Sequence, residues 1–266
     1  MSERLDIELV IRSLARSRSH AAQLITQNRV LVNEKPGTKP AQKIELTDHL
    51  AIAEGPDFVS RAGQKLSDAL KTFEIQISGE CLDSGASTGG FTQVMLEAGA
   101  SSVVCVDVGH DQLAKELRED PRVTNIEGCN LRELDLEKLK ELTKTEHDFR
   151  FAVADLSFIS LTLVIPNLKS VAPNAQQVWL IKPQFEVGKH SLNASGIVTD
   201  WPDRHRAINQ VVDCAIENGF TIKGLVESSI RGTHGNSEYL LWITPNGPDN
   251  RPEWSKEIER LAKRDK

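Results

Sequence analysis

Glu80-Cys81-Leu82-Asp83-Ser84-Gly85-Ala86-Ser87-Thr88-Gly89-Gly90-Phe91 is a short apolar run closed by an acid and followed by a turn of small residues. Such a turn lets the backbone approach a ligand closely. With a strand ending at Asp83 and a helix opening at Gly90, the stretch reads as the first crossover of a nucleotide-binding α/β sheet, where ligands lie at the carboxyl ends of strands. Beyond it, strand signals near 80–83, 103–107, 123–127, 150–155, 177–182, 221–227 and 239–244 alternate with helix signals near 91–98, 111–118, 133–143, 160–171 and 203–218. The alternation predicts a doubly wound, mostly parallel sheet. Ser228 to Ser237 leaves no room for an ordinary helix, so the last two strands are expected to run antiparallel and the last strand to oppose the rest.

Other readings of the turn are weaker. Gly85-x-Ser87-x-Gly89 matches the nucleophile elbow of hydrolases, but that elbow normally follows several strands rather than the first. A dinucleotide fingerprint needs glycine where Ser87 stands. Asp83 at the strand end suits a cofactor carrying positive charge, and S-adenosylmethionine carries an ammonium and a sulfonium. Asp107, closing Val103-Val104-Cys105-Val106, stands where a ribose hydroxyl would be accepted.

The antiparallel ending has a geometric consequence. Parallel strands deliver their last residues, Asp155 and Lys182, to the carboxyl edge, whereas an antiparallel strand delivers the residue at its start, Glu238. Lys65, early in a helix with Leu66, Ala69, Leu70 and Phe73 on one face, is unfavourable against the helix dipole, a local inconsistency of the kind functional residues cause. It can reach the same edge. An aspartate, two lysines and a glutamate beside a sulfonium suit methyl transfer to a weakly acidic hydroxyl. Lys182 could serve there as a base, or as a cation stabilising developing negative charge.

Length and composition bound the rest. The 266 residues, 39% hydrophobic and 26% charged, fit a soluble globular chain of one large or two smaller domains. No apolar run approaches the roughly 20 residues of a membrane span, and Met1-Ser2-Glu3-Arg4-Leu5-Asp6 lacks the apolar core of a signal peptide. A cytoplasmic protein without membrane partners is expected. Cys81, Cys105, Cys129 and Cys214 are too scattered for a metal site or a disulfide framework, and no metal ligands are assigned. Net charge is -6, yet residues 1–50 hold eight Lys and Arg against six Asp and Glu, leaving +2 there and -8 elsewhere. In that basic portion, helix patterns over 4–15 and from Ser17 or Ser19 to Asn28 precede short strands at 30–32 and 44–46. Arg12 and Arg16 lie one helical turn apart, near Arg4, Arg18 and Arg29, and such spacing can track a phosphate backbone. Gly55-Pro56 marks a boundary, giving expected segments of 1–55, 56–248 and a polar, partly helical tail at 249–266. Gln184 to Pro202 is too long for a plain connector and is a candidate lid or substrate loop.

Arg4-Leu5-Asp6, Leu14-Ala15-Arg16-Ser17-Arg18 and Arg29-Val30-Leu31-Val32-Asn33 resemble the S4 RNA-binding domain. Ser60-Arg61-Ala62-Gly63-x-Lys65-Leu66, the Leu82–Phe91 turn, Ala154-Asp155-Leu156-Ser157-Phe158-Ile159-Ser160, Ile181-Lys182-Pro183-Gln184-Phe185-Glu186 and Asn236-Ser237-Glu238-Tyr239 resemble the TlyA family, whose members join an S4 domain to an FtsJ-like methyltransferase domain of class I fold. The resemblance implies S-adenosylmethionine-dependent 2'-O-methylation of cytidines in ribosomal RNA, free or in subunits. It places the catalytic set on Lys65, Asp155, Lys182 and Glu238. Cofactor contacts are expected from Asp83, Ser84, Gly85, Ala86, Ser87, Thr88, Gly89, Gly90, Phe91, Asp107 and Asp155, and RNA contacts from the five arginines. Other classes kept in view are a membrane-lytic haemolysin, as the family's older label suggests, and a non-catalytic RNA-binding assembly factor.

Overall fold

The structure, a computed structural model, describes residues 2–26, 29–53, 57–232 and 234–264. Asn28 and the Gly55-Pro56 boundary lie outside the described residues. The chain divides into two compact units, with the break between Arg61 and Ala62.

In the first unit, β1 (Ser2–Arg4) leads into α1 (Leu5–Ile11), followed by α2 (Arg18–Thr26), β2 (Val30–Val32), β3 (Lys35–Pro36), β4 (Lys43–Glu45) and β5 (Leu50–Ile52). Leu5 and Leu9 of α1 and Ala21, Leu24 and Ile25 of α2 are buried with Val30, Ile44 and Leu50 in one apolar core. The helix expected over 4–15 stops at Ile11, because Ser13 turns to φ 58 and the Leu14 and Ala15 N–H groups both donate to the Leu9 carbonyl. β1 pairs with β4, and β2 pairs with both β3 and β5, all antiparallel. Asn33 and Glu34, both at positive φ, make the two-residue turn of the β2–β3 hairpin, as the twist of such hairpins requires.

The second unit begins on α3 (Arg61–Thr72) and continues through β6 (Glu80–Ser84), α4 (Gly90–Glu97), β7 (Ser102–Val106), α5 (Lys115–Arg118), β8 (Val123–Ile126), α6 (Leu136–Thr143), β9 (Phe151–Ala154), α7 (Ile165–Val171), β10 (Gln176–Ile181), α8 (Pro183–Glu186), α9 (Trp201–Glu217), β11 (Phe220–Glu227), β12 (Tyr239–Pro245) and α10 (Arg251–Lys263). One seven-stranded sheet has the order β11-β12-β10-β9-β6-β7-β8. Strands β6 to β10 pair in parallel, and β12 runs antiparallel to both β10 and β11. All of β9 and nearly all of β10 are buried, as expected where helices cover both faces. Ala207, Ile208, Val211, Val212 and Ala215 give α9 its buried stripe, and Trp179 meets the edge of Phe220 at 5.1 Å.

Local packing departs from the pattern-based expectations in places. Residues 107–114 form a loop rather than the start of a helix, so α5 is a single turn. The 184–202 stretch contains α8 and is packed down, since Val187 and Val198 are buried against Ala207 and Asn236 Oδ1 accepts the Val198 N–H at 2.9 Å. The 249–266 segment carries α10, whose Ile258, Leu261 and Ala262 belong to the sheet's own core. Among the described residues no helix is long and apolar enough to cross a membrane. Because Leu261 is buried, Leu261→Ala is expected to lower unfolding free energy by about 2–4 kcal/mol in denaturant melts of the full chain.

Candidate active site

The turn after β6 is built from backbone that side chains would obstruct. Gly85 has φ +85, and a Cβ there would lie 2.6 Å from the Asp155 carbonyl oxygen. Gly89 has φ +94, and its Cβ would meet Leu117 Cδ1 at 2.3 Å. Neighbouring chain fixes the path: Gly85 N–H donates to the Val106 carbonyl at 2.8 Å, and the Asp107 carboxylate accepts the N–H groups of Ser87 (2.8 Å) and Gly109 (2.7 Å). Ser87 Oγ donates to Gln112 Oε1 at 3.1 Å.

Asp83 is fully buried beneath this turn. Its Oδ2 accepts from Thr92 Oγ1 at 2.6 Å, whereas Oδ1 has no hydrogen-bond partner among the described residues. Burial pushes its carboxyl up to about 7 against the opposing pull of the Thr92 hydroxyl, and the charges of Asp155 and Asp107 add to the rise. A buried acid lacking one partner is costly unless a ligand supplies it. Beside the turn opens a cavity of ≈540 Å³, within the range of cofactor sites, lined by Gly85, Ser87, Asp107 and Asp155 among others.

Of the expected cofactor residues, these four face the cavity, while Ala86, Gly89, Gly90 and Phe91 are buried and Ser84 Oγ is buried without a hydrogen-bond partner among the described residues. Thr88 is exposed, and its carbonyl accepts the Ala114 N–H. The cavity also draws on residues to which the sequence reading gave no site role: Val108, Gln112, Asn130, Arg132, Phe158 and Ile159. Asn130 lies several residues beyond the end of β8, past the strand-end position that selected Asp107. Phe158 holds a positive φ of 64 and is 91% exposed, with its ring 5.2 Å from that of Phe185.

The sheet register assembles the charged edge. Trp179 pairs with Ala154 and Ile181 with Tyr239, so Asp155, Lys182 and Glu238 continue neighbouring rungs at one end of the sheet. Lys182 Nζ lies 2.6 Å from Asp155 Oδ1 and donates to Ser157 Oγ at 2.9 Å. The Asp155 oxygen lacks hydrogen-bond geometry, so that contact is an ion pair and the directed bond goes to Ser157. Lys65 Nζ donates to Glu238 Oε2 at 2.5 Å, with both side chains buried. Gly232 allows the loop backbone to lie against that carboxylate, since a Cβ there would be 2.4 Å from Glu238 Oε1. The structure therefore joins the four expected residues as two lysine–carboxylate pairs.

In the first unit the five arginines divide. Arg12 pairs with Glu8 at 2.8 Å and donates to the carbonyls of Asp48 and Leu46, while Arg29 donates to the Ala53 carbonyl. These two clip the unit's own backbone. Arg4 and Arg18 share Asp6, whose carboxyl drops to about 2 through hydrogen bonding to Arg4 first and to Arg18 as well. Arg16 reaches Asp57 at 3.4 Å. The Arg16 and Arg18 side chains remain 61% and 62% exposed.

The FtsJ-like methyltransferase model matches residues 58–244, and the S4 domain model matches residues 3–50. Over 244 residues the chain is 44% identical to the 16S/23S rRNA (cytidine-2'-O)-methyltransferase TlyA of Mycobacterium tuberculosis, covering 90% of this chain and 89% of that protein. The chain belongs to the TlyA family of FtsJ-like methyltransferases. A solved structure named as a hemolysin, from Streptococcus thermophilus, superposes with a TM-score of 0.74 at 35% identity, covering 98% of this chain and 95% of that one. Hemolysin A of Brachyspira hyodysenteriae is 38% identical, covering 89% of this chain and 98% of its own.

The cofactor of this TlyA-family methyltransferase is S-adenosylmethionine, and the residues present fit it. The unpartnered Asp83 oxygen, the turn that admits no Cβ, Asp107 at the next strand end and a cavity of sufficient size supply what a cationic nucleoside needs.

Asp83 also has a consequence for stability. Its folded-state value lies above that of an unfolded aspartate, so its contribution is fully present below about pH 4 and is lost as pH rises towards about 7. Asp83→Asn is accordingly expected to stabilise the cofactor-free protein at pH 8 by about 2–4 kcal/mol, with little gain at pH 4, in urea melts at the two pH values.

Proposed function

We propose that this protein transfers a methyl group from S-adenosylmethionine to the ribose 2'-hydroxyl of cytidine in ribosomal RNA, acting in the cytoplasm on free RNA or on subunits. The observation that carries the reading is the Lys182–Asp155 pair at 2.6 Å on the sheet edge beside the glycine turn. The base and the RNA class follow the M. tuberculosis relative's name. The sugar position follows the same name, and a 2'-hydroxyl is a nucleophile that RNA offers and DNA lacks.

In this reading Asp83 holds the cofactor's ammonium through Thr92-oriented carboxylate, and Asp107 accepts from its ribose hydroxyls. Bound there, the cofactor supplies an electrophilic methyl group on a sulfonium. Lys182, steadied by Asp155 and Ser157, would meet the target hydroxyl and stabilise the negative charge that develops on its oxygen as the hydroxyl proton passes to solvent water; the new carbon–oxygen bond would replace the methyl's bond to sulfur, the neutral thioether being the leaving group. Holding oxygen and methyl carbon in line is itself worth up to roughly 7–11 kcal/mol. Lys65 and Glu238 form the neighbouring pair that orients the ribose. Phe158 offers an exposed ring at the cavity mouth on which a base can stack. Arg16 and Arg18, the most exposed of the first unit's five expected arginines, meet RNA phosphates.

Transfer of labelled methyl from S-adenosylmethionine to ribosomal RNA or subunits tests the proposal. Lys182→Ala is expected to cut kcat by about 10³-fold with cofactor affinity retained, and Arg16→Glu with Arg18→Glu to raise KM for RNA about tenfold with kcat retained. Absence of label on every ribosomal substrate with wild-type protein overturns it. Cofactor affinity by calorimetry should weaken about tenfold from pH 7 to pH 5.5, as Asp83 takes up a proton with its value of about 7. A flat profile would exclude Asp83 as the ammonium's partner.

A further inference from the structure

Two loops leave the carboxyl edge side by side, residues 155–161 after β9 and residues 182–186 after β10. They are joined at three successive levels. At the edge, Lys182 meets Asp155 and donates to Ser157. Further along both loops, the Phe158 and Phe185 rings meet at 5.2 Å. Last along the chain, Glu186 closes the series: its Oε2 accepts from Ser160 Oγ at 2.5 Å and its Oε1 accepts the Leu161 N–H at 3.0 Å.

The Glu186 contact is anchored by α9. Ser160 Oγ lies 2.7 Å from Thr162 Oγ1, and Cys214 Sγ of α9 lies 3.7 Å from the Thr162 carbonyl oxygen, an angle and length that make a weak S–H donation. Val187, directly after Glu186, is buried against Ala207 of α9. The carboxylate thus sits between a fixed helix and a loop whose Phe158 already holds an unfavourable positive φ. Lys182 is the N-cap of α8, the short helix that ends on Glu186, and its carbonyl accepts the Phe185 N–H at 2.9 Å, so holding Glu186 holds the backbone that carries Lys182. Neither Asp83 nor the glycine turn touches this second contact.

We infer that Glu186 is a positioning residue for methyl transfer, clamping the 155–161 loop to the 182–186 turn so that Asp155 and Lys182 stay in contact. Glu186 does not reach the reacting atoms; it acts through the loop. The inference rests on the proposed role of Lys182 in methyl transfer. An acid suits the place because a carboxylate accepts from two donors at once, here a hydroxyl and an amide. Glutamine retains one acceptor for the Leu161 N–H and can donate to Ser160 Oγ, which also accepts. Alanine leaves both groups without a partner and frees the loop.

Two measurements on the full-length protein test the clamp. In steady-state methyl transfer to ribosomal subunits, Glu186→Ala is expected to lower kcat about 30-fold, with KM for RNA and the cofactor dissociation constant within about threefold of wild type. Glu186→Gln should recover to within about threefold of wild-type kcat, and Ser160→Ala should fall between. In hydrogen exchange of the cofactor-free protein, the Leu161 amide should exchange at least about tenfold faster in Glu186→Ala. A Glu186→Ala kcat within twofold of an active wild type, a Glu186→Gln variant as impaired as the alanine variant, or unchanged Leu161 exchange each overturns the inference. Should Glu186→Ala fail to fold, an unchanged kcat in Ser160→Ala overturns it equally. Should wild type transfer no methyl, the proposed function falls while the Leu161 exchange still decides whether the clamp exists.

Discussion

The contact of Lys182 with Asp155 depends on β9 and β10 lying parallel and adjacent, because only then do their final residues leave the sheet side by side. That adjacency is set far from the site, by the wholly buried Phe151–Ala154 and Gln177–Ile181 segments and by the helices covering both faces. The antiparallel β12 then adds Glu238 to the same edge from the opposite chain direction. A lysine and an acid so close in a largely buried setting lose solvation, which their mutual attraction offsets only when geometry is held. Ser157, as the acceptor of the directed lysine bond, supplies part of that hold.

A second constraint concerns cost. Asp83 lies under the turn with one oxygen unmatched among the described residues, and its elevated carboxyl value expresses how strongly burial resists its charge. The fold tolerates this because Thr92 satisfies the other oxygen and because the surrounding strands β7 and β9 bury it in a rigid place. An unmatched buried acid of this kind is a local departure from rules that the rest of the fold obeys, the departure expected of a binding site.

The sheet was legible because its signals are local and periodic: apolar runs of strand length, amphipathic helices between them, and a turn-rich link where no helix fits. The edge constellation was legible for a related reason, since strand direction alone fixes which terminal residue reaches which edge. Lys65 announced itself by sitting at the wrong end of a helix. What the sequence hid were facts about partners. Arg12 and Arg16 carry the same charge at helical spacing, yet Arg12 is committed to the carbonyls of Leu46 and Asp48, more than thirty residues away, whereas Arg16 reaches Asp57 with most of its side chain exposed. Phe158 and Asn130 lie beyond strand ends, where no periodicity operates. The polar composition after Pro245 concealed Ile258, Leu261 and Ala262, three apolar residues on one face, which suffice to seat α10 in the core.

These constraints converge on one claim, that the edge held by Lys182 and Asp155 methylates ribose in ribosomal RNA. The most direct test is a map of 2'-O-methyl groups across ribosomal RNA from cells lacking the gene, complemented with wild-type protein or with Asp155→Asn. The account predicts at least one methylated cytidine that disappears in the deletion strain, returns with the wild-type gene and stays absent with Asp155→Asn. Identical maps in the parent and deletion strains, or full restoration by Asp155→Asn, would contradict it.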